Sequence, residues 1–152
     1  SEYKCILKNL HVLMITIFFL LVGNSARRQT AEGLAKEMFG NSHNIQSAGS
    51  NPTGNIHPSA ICTMKEIGID ISHQRSKSID SLDTNFLDNL DFVITLCAEE
   101  ICPVLPSKAR KLHWLNVDPA NKNYSETQLK IAFKKTRENI FKLLKKFYVE
   151  NS

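Results

Sequence analysis

An apolar run from Val12 to Val22 stops abruptly at Gly23-Asn24-Ser25, and this junction constrains the fold more than any other stretch of the chain. Ile15, Thr16, Ile17, Phe18 and Phe19 are β-branched or aromatic, which suits a buried strand, and the Gly-Asn-Ser that follows offers a turn and a helix N-cap. The same run has a second reading. Lys4 and Lys8 precede it and small residues follow it, the outline of a secretory signal. It is shorter than the roughly 20 apolar residues needed to cross a bilayer. Taken alone, the run leaves strand and signal equally open, and the residues beyond it must decide.

Those residues alternate between helical and extended patterns. Ala31, Leu34, Ala35 and Met38 fall at i, i+3, i+4 and i+7, with Gly40 placed to end the helix. Asn44 to Ala48 reads as a short strand ending at Gly49. Pro58 opens a helix whose apolar face is Ala60, Ile61, Met64 and Ile67, with Gly68 as its stop. Residues 69–81 are polar and irregular, and a weak helix covers Leu82 to Leu90. Asp91 to Leu96 is an apolar run of the kind buried on both faces of a parallel sheet, and Arg110 to Leu115 is a shorter strand. A long amphipathic helix closes the chain, with Leu129, Ala132, Phe133, Thr136, Ile140, Leu143, Leu144 and Phe147 on one side and lysines on the other. Strands alternating with helices predict an open parallel α/β sheet in a single domain. No internal repeat, linker or low-complexity tract interrupts it.

Composition narrows the function. The chain has 152 residues, 42% apolar and 22% charged, enough for one core and too apolar for disorder. Its net charge of +4 is local: residues 121–152 carry eight Lys/Arg against three Glu, and the remainder carries eleven against twelve acidic residues. A basic terminal helix is a solvated face before it is a nucleic-acid surface, so neither nucleic acid nor membrane is expected as a partner. Four cysteines (Cys5, Cys62, Cys97, Cys102) are too few for a disulfide framework, which points to a reducing cytoplasm. Cys62, on the apolar side of its helix, reads as a buried small hydrophobe, Trp114 as core, and His11, His57 and His73 as solvated. No Cys-x-x-Cys accompanies Cys97 and Cys102, so neither a metal site nor a cofactor is expected.

Ligands of open α/β sheets bind beyond the carboxyl ends of the strands, where Leu21-Val22-Gly23-Asn24-Ser25-Ala26-Arg27 lies. Backbone N–H groups of a tight turn and the positive end of a helix favour an oxyanion, and Arg27 adds a forked donor. The plainer reading is a helix cap beside a surface arginine. The stretch 18–33 (FFLLVGNSARRQTAEG) is similar to the signature of the low-molecular-weight protein tyrosine phosphatases and of the arsenate reductases built on the same fold, roughly Cys-x-Gly-Asn-x-x-Arg-Ser-x-x-Ala-Glu. SAGSNPTGNIHPSA (47–60), MKEIGIDIS (64–72), DFVITLCAEEICPVLP (91–106) and HWLNVDPA (113–120) match in the same order. The resemblance implies a flavodoxin-like three-layer sandwich with a four-stranded parallel sheet over residues 14–152. It also implies that the apolar run is the first strand and residues 1–13 an extension.

By the same resemblance, the loop from Leu21 to Arg27 binds arsenate or phosphate, Asp118 is the general acid, and Cys97 and Cys102 resolve the reaction with thioredoxin or another thiol donor. Four residues separate those cysteines, fewer than the six familiar in the family, and the blander reading is a small apolar pair. Asp118-Pro119 is followed by Ala120 and Asn121 where phosphatases commonly carry aromatic residues, which favours the arsenate reductases. The decisive departure is at the nucleophile. The family's cysteine stands six residues before the arginine, a place held here by Leu21, and the Ser or Thr that usually follows the arginine is Arg28. Leucine has no lone pair and no titratable proton, so nucleophilic catalysis at this position is impossible. Three functions follow: an arsenate reductase relative that is inactive or nearly so, a non-catalytic module binding an oxyanion or phosphoprotein, or a dithiol redox protein using Cys97 and Cys102.

Overall fold

The computed structural model describes residues 14–21, 25–40, 43–49, 55–75, 77–96 and 108–151. Four parallel strands form one sheet: β1 (Thr16–Leu21), β2 (Asn44–Gly49), β3 (Phe92–Thr95) and β4 (Arg110–His113), in the spatial order β2-β1-β3-β4. Among the described residues the helices are α1 (Ser25–Phe39), α2 (Pro58–Lys65), the short α3 (Thr84–Asp88) and α4 (Glu126–Glu150), with a 3-10 turn at Ile79–Ser81. This is the expected four-stranded parallel sandwich.

The alternation of side chains along β1 builds the three layers. Ile17 and Phe19 enter a large cluster with Ala31, Leu34 and Phe39 of α1, Met64 of α2, and Phe133, Ile140, Leu144 and Phe147 of α4. Phe18 and Leu20 point the other way, into a smaller cluster with Leu82, Phe86, Leu90 and Val93. Ile17, Phe18, Phe19 and Leu20 are wholly buried, and each such side chain contributes about 1.5–3 kcal/mol. The run is therefore the central strand, paired with β2 on one side and β3 on the other. At the outer edge, Arg110, Lys111 and His113 of β4 are exposed, polar side chains that discourage edge-to-edge pairing.

Two glycines set the course of α1. Gly40 takes φ +63° and ends the helix where its periodicity stops. Gly33 lets residues 69–74 pack against the helix, because a Cβ there would lie 2.6 Å from Ile71 Cγ2. On α4, Ser125 and Gln128 form a reciprocal capping box.

Three expectations on α2 need correction. The helix ends at Lys65, so Ile67 leaves the apolar face and is 45% exposed. Cys62 is exposed rather than buried. His57 is half-buried: its Nδ1 accepts the Ser59 amide at 3.1 Å as the N-cap, and its ring lies 4.8 Å from Phe133.

Candidate functional site

The carboxyl ends of β1, β3 and β4 and the amino end of α1 meet at one edge of the sheet. Leu21 is the last residue of β1, in register with Gly49 of β2, and α1 begins at Ser25. Val22, Gly23 and Asn24, between them, lie outside the described residues, as do Cys97 and Cys102. Ala26 is buried in the first turn of α1.

Arg27 fastens this edge together. It is 1% exposed, and its Nη1 donates to the Asn116 carbonyl at 2.7 Å and to the Leu96 carbonyl at 3.4 Å. Leu96 follows β3 and directly precedes Cys97, while Asn116 lies two residues before Asp118. One guanidinium thus joins α1, the end of β3 and the segment after β4. Asn116 is itself buried: its Nδ2 donates to the Trp114 carbonyl at 3.1 Å, and its Oδ1 accepts Asn139 Nδ2 of α4 at 2.7 Å. The half-buried Asp118 caps its own turn, Oδ1 accepting the Ala120 amide at 2.9 Å. It stands at a cavity of about 510 Å³ between the 115–119 segment and α4, with Tyr124, Thr136 and Asn139 on the far wall.

Beneath the start of α1 lies a buried polar layer that the residue pattern did not reveal. Arg28, Gln29, Thr30 and Glu32 are all buried, so polar side chains of the helix face inward. Gln74 Nε2 bridges to the Gln29 carbonyl at 3.0 Å and to its Oε1 at 2.7 Å. Arg28 is wholly buried, and its Nη1 reaches the Lys77 carbonyl at 3.5 Å. Burial lowers the Arg28 pKa, the Glu32 charge opposes that and the Arg27 charge adds to it, and together they bring it to about 10. Burial likewise raises the Glu32 pKa against the pull of Lys36 and Lys77 and a hydrogen bond to the Ser47 backbone. The Arg28/Glu32 spacing of four residues was the available signal, although on most helices it marks an exposed ion pair.

The edge can therefore hold charge but lacks the means for covalent chemistry at position 21. Among the described residues no three His, Cys, Asp or Glu side chains gather to hold a metal ion, and no helix is long and apolar enough to cross a membrane.

Known proteins share this architecture. The profile of the low molecular weight phosphotyrosine protein phosphatase family matches residues 16–151. Arsenate reductase 2 of Staphylococcus saprophyticus is 43% identical over 135 residues, spanning 88% of this chain and 95% of that protein. An arsenate reductase of Brevibacillus brevis is 41% identical over 134 residues, 87% and 92% of the two chains. Among solved structures, an arsenate reductase in the phosphate binding state superposes with a TM-score of 0.74 at 29% identity, covering 91% of this chain and 100% of that one. A low molecular weight protein tyrosine phosphatase from T. tengcongensis shares the fold at 23% identity, with a TM-score of 0.67 and coverage of 90% and 99%.

Proposed function

The chain belongs to the low molecular weight phosphotyrosine protein phosphatase family, and from that premise we propose that it is a catalytically impaired relative of the arsenate reductases that binds arsenate or phosphate through residues 21–27. The observation that carries the reading is Leu21. It ends the central strand, six residues before Arg27, where the family resemblance calls for a sulfur nucleophile. Loss of a nucleophile in a catalytic unit lowers kcat by as much as about a million-fold. The second departure agrees with the first, because Arg28 stands where a hydroxyl would hold the thiolate.

Anion binding does not depend on that sulfur. Two adjacent guanidiniums, both buried, lie in the first turn of α1 beside the positive end of the helix dipole. Positive charge at this edge favours an oxyanion at residues 21–27. Asp118, on the segment held by Arg27 through Asn116, is the residue we assign to the leaving-group side. The cysteine usage supports a reducing cytoplasm, with thioredoxin or another thiol donor as the partner of an active relative.

The test uses the full chain. Arsenate reduction with thioredoxin and hydrolysis of para-nitrophenyl phosphate are both expected to stay at background, and turnover at a rate typical of the family refutes the reading of Leu21. Leu21→Cys with Arg28→Ser is expected to recover activity, and no recovery means that the departure extends beyond these two positions. Calorimetric titration with phosphate and arsenate is expected to give millimolar or tighter affinity that weakens in Arg27→Lys. Affinity that is absent, or indifferent to that change, removes the binding role.

A further inference from the structure

On the helical side of the molecule a groove of about 660 Å³ runs between α1, the turn after α2, and α4. Leu34, Met38, Ile67, Ile69, Phe141 and Val149 make its walls apolar. Three of them are open to solvent: Ile67, Phe141 and Val149 at 45%, 41% and 69% exposure. Contiguous apolar surface rimmed by polar groups marks an interaction site.

We propose that a second copy of this chain covers the groove, in a two-fold dimer. Charge singles out this occupant. The charged residues of the lining are two acids, Glu37 and Glu138, and two bases, Arg137 and Lys145, so the rim is neutral and mixed in sign. A groove made for an acidic or a basic partner carries the opposite sign throughout, whereas a surface that meets its own image carries both. Arg137 is already paired within the chain, with Glu66 at 3.1 Å and Glu138 at 2.8 Å. That leaves Glu37 of α1 and Lys145 of α4, both exposed and neither in an ion pair among the described residues.

Shape agrees with charge. Phe141, Lys145 and Val149 are spaced i, i+4 and i+8, one ridge of α4 about 12 Å long. Helices pack by seating such ridges in grooves. A two-fold axis lying along the groove turns the α4 wall of each copy toward the α1 wall of the other. Phe141 and Val149 then enter the partner's apolar groove, and Lys145 comes to the partner's Glu37. The pairing forms twice, as an isologous contact requires. Leu21, Arg27 and Asp118 do not line the groove, so the dimer stands apart from anion binding at residues 21–27. The patch is smaller than the roughly 20–30 residues a side of a standard interface, which makes the expected dimer a weak, micromolar one.

Sedimentation equilibrium of the full chain tests the proposal, with reductant present to keep the exposed Cys62 from crosslinking two copies. A reversible monomer–dimer equilibrium is expected. Val149→Asp puts a charge into the apolar contact and is expected to raise the dissociation constant about tenfold or more, while Trp114 fluorescence reports an intact fold. Glu37→Lys and Lys145→Glu each set like charges against one another across the interface and are expected to weaken it by at least as much. The double exchange, Glu37→Lys with Lys145→Glu, is expected to restore the dimer, a rescue that a groove holding any other partner does not give. A chain that stays monomeric at millimolar concentration overturns the proposal. So does a dimer indifferent to Val149→Asp, or one that the double exchange fails to restore, because its contact then lies on another face.

Discussion

Replacing Arg28 by methionine is expected to stabilise the protein, although it removes a charged, hydrogen-bonded side chain. Arg28 is wholly buried, and its pKa falls from the ordinary guanidinium range to about 10, which corresponds to about 3 kcal/mol against the charged form at neutral pH. Methionine keeps a long flexible stem without the charge. Against that gain stand the hydrogen bonds of the guanidinium, among them the long contact with the Lys77 carbonyl at 3.5 Å, which contribute about 1 kcal/mol each. The net expectation is a gain of up to about 2 kcal/mol, or roughly 4–8 °C in Tm for a chain of this size. Urea unfolding followed by fluorescence of Trp114, packed between Phe19 and Phe147, measures it. The pH dependence is part of the prediction. Below about pH 10 Arg28 is charged in both folded and unfolded chains, so the gain stays constant from pH 6 to 9. A loss exceeding about 1 kcal/mol refutes the reasoning, because the guanidinium would then stabilise the fold beyond what its burial costs.

Other consequences are open to the same measurements. The folded-state pKa of Glu32 is raised, so the folded chain holds its proton longer than the unfolded one and stability falls as pH rises from about 4.5 towards that higher value. Glu32→Gln is therefore expected to gain on the natural protein across this window in unfolding experiments, and a difference that ignores pH contradicts the assignment. Combining it with Arg28→Met is expected to exceed the sum of the single effects, because Glu32 supports the Arg28 charge that each single variant leaves behind or removes. Gly33→Ala forces a methyl to within 2.6 Å of Ile71 Cγ2 and is expected to cost about 1–3 kcal/mol; an unchanged Tm shows that residues 69–74 yield freely. Asn116→Ala removes the links to Trp114 and Asn139, with an expected loss of about 2 kcal/mol and faster amide exchange in the segment carrying Asp118.

Much of the architecture was legible in the residues, and the misses share a cause. β1 and β3 stood out because a strand buried on both faces must be apolar throughout, and α4 because its stripe, from Leu129 to Phe147, persists for about five turns. Arg27 and Asp118 were visible through the motif around them. The exposure of Ile67 and Cys62 was not, because a periodic stripe says which side of a helix is apolar but not where the helix stops or how far its neighbours cover it. Asn116 and the layer of Arg28, Gln29 and Glu32 were hidden for the opposite reason: they are polar, and only tertiary hydrogen bonds make them interior. The irregular stretch 69–81 holds the wholly buried Ile71 and the buried Gln74, which are placed by the missing side chain at Gly33 rather than by any local pattern.

The two bonds from the Arg27 guanidinium have a kinetic meaning. A helix start, a strand end and a distant segment share one rivet, so none of them loosens without slackening the others. Fluctuations at this rim must come as concerted events of a single amplitude rather than as independent fraying of three ends. An anion that tightens any one of them would quieten all three.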